Sequence, residues 1–343
     1  RVTGSGSSTI NGGLNALIDP STGQLTGANF YFINPNGIAF KEGANLNIGG
    51  AFTATTSDFV RLGDDGIYYA SLDATSVLTS SPPAAFGFLD SNPGGKISFE
   101  GTQMVKWINL NPFTPAFNFI GGDIRLDQAP EGTATNFGTA NSRGTFLTGN
   151  HLDLISVGSA GEVVMTNDGY DLSSFTTLGN IDILNGSVVD APEVYIKGGQ
   201  VTINDSVIAP GFFFVADMGP PRTGGGYVTI AGSERVDIDS SGAPLAIEVN
   251  VPPGPAGPGG VRVITRIDSG PLFAGVTTFG DDPFLPPADV PDIFIEGGNV
   301  SITGSAALIS QRFGPGLAGD IVITGDSVNI LDGGLLFNLN AYA

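Results

Sequence analysis

The stretch GYVTIAGSERVDI, residues 226–238, sets two short alternating runs end to end: Val228 and Ile230, then Val236 and Ile238. Successive side chains of a strand point to opposite faces, so each run reads as a short strand with one apolar and one polar face. The opening pattern, Gly-x-[Ile/Val]-x-[Ile/Leu/Phe], recurs along the chain. It starts at Gly95, Gly122, Gly179, Gly199, Gly226, Gly298 and Gly319, with a looser copy at Gly161. The second apolar pair returns too, as Val328 and Ile330 in SVNI. Units of about 20 to 27 residues holding several short strands fit one turn of a parallel β-helix, in which coils stack about 4.8 Å apart. Inward residues then form aliphatic columns, outward Ser, Thr, Asn and Asp face water, and the glycines are expected to supply positive φ at the corners. An immunoglobulin-like sandwich also alternates, but gives no reason for this recurrence, and no window shows capped helical periodicity.

Composition agrees with many short strands and tight turns. Hydrophobic residues make up 41% of the 343, charged residues only 13%, and there are 52 glycines. With 13 basic and 33 acidic side chains the net charge is −20, which repels nucleic acid and anionic lipid. The absence of cysteine and the single histidine, His151, argue against Cys- and His-based metal sites, and no cofactor is expected. No apolar run is long enough for a transmembrane helix. The chain opens on Arg1, without a signal peptide, which reads as a processed or truncated piece.

The largest interruption of the repeat falls between Gly226 and Gly298. Residues 251–296 hold nine of the 23 prolines, and proline cannot donate to a central ladder. This segment reads as a Pro/Gly-rich excursion from one coil. The expected organisation is residues 1–100 as the start of the helix, 101–250 as its body, 251–296 as the excursion and 297–343 as further coils.

Near the start, ANFYFINPNGIAF (residues 28–40) places apolar runs on either side of Asn34-Pro35-Asn36-Gly37. Each residue suits a type I turn: Asn34 bonds its own backbone, Pro35 pre-sets φ, and Gly37 favours the last place. Phe30 and Phe32 point one way, Tyr31 and Ile33 the other, so this strand is expected to be covered on both faces. Together with Arg1-Val2-Thr3-Gly4, Ile10-Asn11-Gly12 and Asn47-Ile48-Gly49-Gly50 before a Thr-rich strand, the region closely resembles the haemagglutination-activity, or two-partner secretion, domain of filamentous haemagglutinin-like exoproteins. The specific match covers about residues 1 to 60; AFGFL (85–89) and GGKISFEG (94–101) look like later parts of it.

The resemblance implies an all-β, right-handed parallel β-helix, secreted or displayed on the surface of a Gram-negative bacterium through a dedicated outer-membrane transporter. It implies that Asn34, Pro35, Asn36, Gly37 and Ile38 belong to the secretion motif, as recognition or folding-nucleus residues and not as catalysts. The function it implies is non-enzymatic: adhesion to a host, matrix or glycan ligand, or an extracellular fibre. Relatives carry a further stretch with a second Asn-Pro-Asn motif and the helix cap, so an open first coil that stacks end to end on another copy is also expected.

Other residues offer rival chemistry. Asp64-Asp65, Asp281-Asp282, and Asp237 with Asp239 have the oxygens for Ca²⁺ but no known loop spacing, and read as exposed turn acids. A polysaccharide lyase or hydrolase would use Arg125 with Asp123 and Asp127, or Arg235 with Asp237 and Asp239. His151 reads as a hydrogen-bonded residue before it reads as a base. Trp107 and the phenylalanines include a sugar-platform reading, and Phe212-Phe213-Phe214 is expected under the excursion or at a subunit contact.

Overall fold

The computed structural model describes residues 4–341 apart from 20–23, 26, 91–92, 94, 106–115, 131–143, 150, 168, 192, 209–226, 242–244, 252–259, 268–274, 281–291 and 314–316. Trp107, Asp281, Asp282 and Phe212 to Phe214 lie outside the described residues. The described regular elements are all strands, and the chain winds them into a parallel β-helix with three faces.

Face A contains Phe30–Ile33, Phe52–Thr55, Phe117–Gly121 and His151–Ser156, then the first halves of the long strands Glu193–Asn204, Tyr227–Ser240, Asp292–Gly304 and Ile321–Ile330. Face B contains Ser8–Ile10, Ile38–Lys41, Ile97–Glu100, Ile124–Asp127 and Ile181–Leu184, then the second halves of those long strands. Face C runs from Gly13–Asn15 through Asn45–Asn47, Gln103–Val105, Phe146–Thr148, Val188–Asp190, Val207–Ile208, Gly275–Gly280 and Ala307–Phe313 to Leu335–Ala341.

Register follows the alternation read from the sequence. On face B, Ile38 pairs with Ile97, then Ile124, Ile181, Val201, Val236, Val300 and Val328 in successive coils. All but the last of these are essentially sealed from water. A slip of one residue would turn the whole column outward, so the greasy face itself enforces the register. Beside this column, two residues along each strand, the early coils are aromatic: Phe40 stacks on Phe99 at 5.0 Å, and Phe99 meets Phe119 of face A edge-on at 4.8 Å. Such pairs contribute about 0.5–1.5 kcal/mol beyond their buried area. Later coils replace the rings with Ile and Val.

Two insertions leave the corner between faces A and B and meet in an antiparallel sheet. In spatial order its strands are Gly66–Tyr69, Phe59–Leu62, Pro83–Phe88, Gly161–Thr166 and Gly169–Asp171. This sheet forms a flap over the outer side of face A, where Val60, Phe86, Phe88 and Val163 pack on Ile33, Ile120 and Ile155. Tyr31 and Ile33 therefore join the flap cluster while Phe30 and Phe32 pack on the main core, so the strand is covered on both faces.

The Pro-rich region holds an antiparallel hairpin, Leu245–Val251 with Gly260–Ile267, off the three faces. The chain rejoins face C at Gly275–Gly280, still inside the proline-rich interval, pairing with Val207–Ile208 and Ala307–Phe313.

The repeating glycines do not all mark one corner. Gly95, Gly122, Gly179, Gly199 and Gly298 lie just ahead of face B strands, whereas Gly226 and Gly319 precede face A strands and Gly161 opens a flap strand. Contrary to the expectation from sequence, the face B glycines do not supply positive φ. Positive φ gathers instead at the corner between faces B and C, at Gly101, Asn185, Gly186, Asp205, Gly304, Asp332 and Gly333, and occurs at the corner between faces A and B at Gly37.

Candidate secretion-motif corner

Asn34-Pro35-Asn36-Gly37 forms the corner between face A and face B in an early coil. The Asn34 carbonyl accepts from the Gly37 N–H at 3.1 Å, closing a four-residue turn, and Gly37 takes φ +113°, a conformation that favours glycine. Pro35 has no N–H to leave unpaired. The turn is hydrogen-bonded to the coils on both sides: Ser8 N–H donates to the Gly37 carbonyl, while Asn34 N–H and Ile38 N–H donate to the Thr55 and Lys96 carbonyls.

The side chain of Asn34 does most of the tying. It is fully buried, and its Nδ2 donates to the Gly6 carbonyl (3.1 Å) and Ser8 Oγ (2.8 Å). Its Oδ1 accepts from the Asn36 backbone N–H at 3.0 Å. Asn36 is exposed, yet its Nδ2 reaches the Gly4 carbonyl at 3.1 Å. A carboxamide is the side chain of this size that both donates and accepts, so Asn34 satisfies a carbonyl, a hydroxyl and an amide at once.

Below the turn the corner becomes a column of close backbone approaches. A Cβ on Gly95 would lie 2.2 Å from the Pro35 carbonyl oxygen and 2.7 Å from Thr56 Cβ. One on Gly122 would lie 2.4 Å from the Gly95 carbonyl oxygen. Hydroxyls fill the remaining bonds. Thr56 Oγ1 donates to the Gly95 carbonyl (3.1 Å) and accepts from Gly122 N–H (3.1 Å), and Ser156 Oγ donates to the Gly122 carbonyl (2.7 Å). These glycines are there because coils can touch only where no side chain intervenes. Thr56 and Ser156 escaped the sequence reading because their partners lie 34 to 66 residues away along the chain.

The other sequence candidates fall elsewhere. Asp64 and Asp65 are exposed in the turn between two flap strands. Arg125 pairs with Asp127 at 2.6 Å and Asp182 at 3.4 Å, whereas Asp123 pairs with Lys96 at 3.0 Å. Arg235 pairs with Asp237 at 2.5 Å, and Asp239 accepts from Thr303 Oγ1 at 2.8 Å. The acids of both clusters are thus engaged along the outer side of face B. Among the described residues, no group of three or more His, Cys, Asp or Glu has the arrangement to hold a metal ion.

His151 lies under the flap in a charged network that sequence reasoning saw only as one hydrogen-bonded histidine. Nε2 contacts Asp153 Oδ1 and Nδ1 contacts Glu193 Oε2, each at 2.7 Å. Burial alone would lower the imidazole pKa, but Asp153 and Glu193 together outweigh it and hold it up to about 9. A ring protonated at neutral pH is not a general base. The buried Asp153 also accepts from the Tyr170 hydroxyl at 2.5 Å. The Asn118 amide, turned so that both of its ends are satisfied, donates to Asp153 at 3.0 Å and accepts from Thr53. Burial and then the Asp153 charge push the Tyr170 phenol pKa well above its ordinary value, so it remains a donor.

The structure is that of a β-helical protein with a glycine- and hydroxyl-lined corner and an Asn-clamped early turn. The family model described as the TPS secretion domain matches residues 1–204, and the chain belongs to this family. It is a two-partner secretion exoprotein, exported across the outer membrane of a Gram-negative bacterium through a dedicated outer-membrane transporter. The matched region ends with the strand Glu193–Asn204, while the three faces continue to Ala341 in the same register. Neither the comparison with curated proteins nor that with solved structures gave a match.

Proposed function

We propose that Asn34, Pro35, Asn36, Gly37 and Ile38 are the secretion motif of this exoprotein and act as the nucleus on which its first coils form. The observation that carries this reading is the buried Asn34 amide, which joins Gly6, Ser8 and Asn36 while its backbone joins Thr55. A segment that closes so many contacts within a short span of chain lowers the entropy cost of adding the next coil. The test is export of Asn34→Ala through the partner transporter, scored as protein in the medium, beside refolding of the same purified variant. Loss of both supports a nucleus; unimpaired refolding with export abolished would instead make the motif a docking signal, and normal results in both would end the proposal.

The exported chain, on this reading, is a non-enzymatic adhesin displayed at the cell surface. Membership of an exoprotein family and the engagement of the face B acids in ion pairs support it. Cells producing the chain should adhere to host cells or matrix, and purified chain should compete. Adherence unchanged by deletion of the chain refutes it.

A further inference from the structure

The outer side of face B carries a cavity of about 300 Å³ where the chain leaves Asp127. Its polar lining is Ser98, Glu100, Arg125, Asp127, Gln128 and Asn185, and Ala129 and the exposed Pro130 form an apolar wall. The volume sits at the low end for small-molecule sites, roughly 300–1,000 Å³.

The lining is held in place. Arg125 Nε and Nη2 both donate to Asp127 Oδ2, at 3.1 and 2.6 Å, and Nη1 reaches Asp182 at 3.4 Å. Asp127 Oδ1 accepts from the Gln128 backbone N–H (2.8 Å) and from Asn185 Nδ2 (2.7 Å). Glu100 is ion-paired with Lys41. Asn185 is itself fixed by its left-handed backbone, φ 54°, on the next coil. Such preorganisation removes much of the ordering cost of binding.

Some capacity is left unspent. Among the described residues, the Ser98 hydroxyl and the Gln128 side-chain amide have no hydrogen-bond partner, and Asn185 Oδ1 and the second Glu100 oxygen remain as acceptors. Donors and acceptors are therefore mixed, beside a proline ring. Three carboxylates (Glu100, Asp127, Asp182) stand against two cations (Lys41, Arg125), on a chain of net charge −20, which disfavours an anionic ligand. Each carboxylate already holds an ion pair, Glu100 with Lys41 and both aspartates with Arg125, so none is left free to bind a bare cation. A ligand with many hydroxyls, no charge and one apolar face satisfies all of these.

We propose that this pocket binds one or two neutral pyranose units of an extracellular glycan. Ring hydroxyls bond to Gln128, Ser98, Asn185 and Glu100, and the apolar face of the sugar lies on Pro130. The biological use of the site rests on the adhesion reading, but binding itself is measured on purified chain without cells.

The probe is an array of neutral gluco-, manno- and galacto-oligosaccharides beside sialylated and sulfated ones, followed by calorimetric titration of the strongest neutral hit. Neutral oligosaccharides should bind, and Arg125→Ala and Gln128→Ala should each weaken the titrated affinity at least tenfold. Arg235→Ala, which removes another ion-paired arginine of the same face outside the cavity, should leave it unchanged. If Arg125→Ala disturbs the fold by circular dichroism, Gln128→Ala and Ser98→Ala carry the comparison. Absence of neutral hits, preference for acidic glycans, or binding indifferent to the cavity substitutions overturns the proposal. Adherence that persists without glycan binding sinks the pocket alone; glycan binding without adherence sinks the adhesion reading alone.

Discussion

Replacing Asn34 by Ala removes two donor bonds, to Gly6 and Ser8, and two acceptor bonds, from the Asn36 backbone and side chain. Gly6 and Asn36 lie near solvent and recover water, so the lasting loss is the bond to Ser8 and the void left by the amide. At about 1–2 kcal/mol for each, the local destabilisation is about 2–4 kcal/mol. Asn34→Asp keeps the shape but puts a carboxylate against the Gly6 carbonyl at a fully buried position. Burial raises the pKa of the introduced carboxyl, so the Asn34→Asp variant is less stable than Asn34→Ala at neutral pH. It partly recovers in mild acid, where a protonated carboxyl donates again. Coils contact mainly their neighbours, so the loss is local, and the assay is native-state hydrogen exchange. Protection of the Ile38 amide should fall by roughly 30- to 1,000-fold in Asn34→Ala, while amides around Ile302 keep theirs. A fall of less than threefold, or an Asn34→Asp variant no weaker than Asn34→Ala at neutral pH, would refute the reasoning.

The remaining predictions concern the flap and the glycine column. Folding raises the His151 pKa from 6.5 to about 9, so its contribution is whole below pH 6.5 and disappears as pH rises through 9. With the side chain 27% exposed, the loss is at most about 3 kcal/mol; urea midpoints should drop across that window, and a His151→Gln variant should show a flatter profile. Gly95→Ala drives a methyl into the Pro35 carbonyl and should cost about 1–3 kcal/mol or more, whereas Gly12→Ala, with nothing within 4 Å of its Cβ, should shift thermal unfolding little. Phe86→Ala empties the centre of the flap cluster and should cost about 3–5 kcal/mol. Exchange should rise through residues 59–88 and 161–171 but not at the face B amides of Ile203 or Ile238.

Much of the helix was legible because it is written in single side chains. Ile97 and Phe99, or Ile124 and Leu126, alternate with polar neighbours, and the same alternation fixes their register. The Asn-Pro-Asn-Gly corner was legible for a related reason: its turn chemistry is local. The flap was not. Phe59–Leu62 and Gly161–Thr166 alternate like any coil strand, and only long-range pairing through Pro83–Phe88 makes them antiparallel. The glycine pattern misled in one respect, because Gly-x-Val-x-Ile describes the start of any such strand and does not name the face it joins. Thr56, Ser156 and Asp153 find hydrogen-bond partners 17 to 66 residues away in sequence, so their roles depend on how the chain is wound.

Pulled from its ends, a simple solenoid would peel away one rung at a time, each yielding at low force. The flap changes that mechanical character, since Pro83–Phe88 and Gly161–Thr166 are buckled together across the rungs lying between them. Those rungs cannot unwind singly without first shearing the buckle, so the leading part of the molecule should give way as one block while the remainder still unspools by turns.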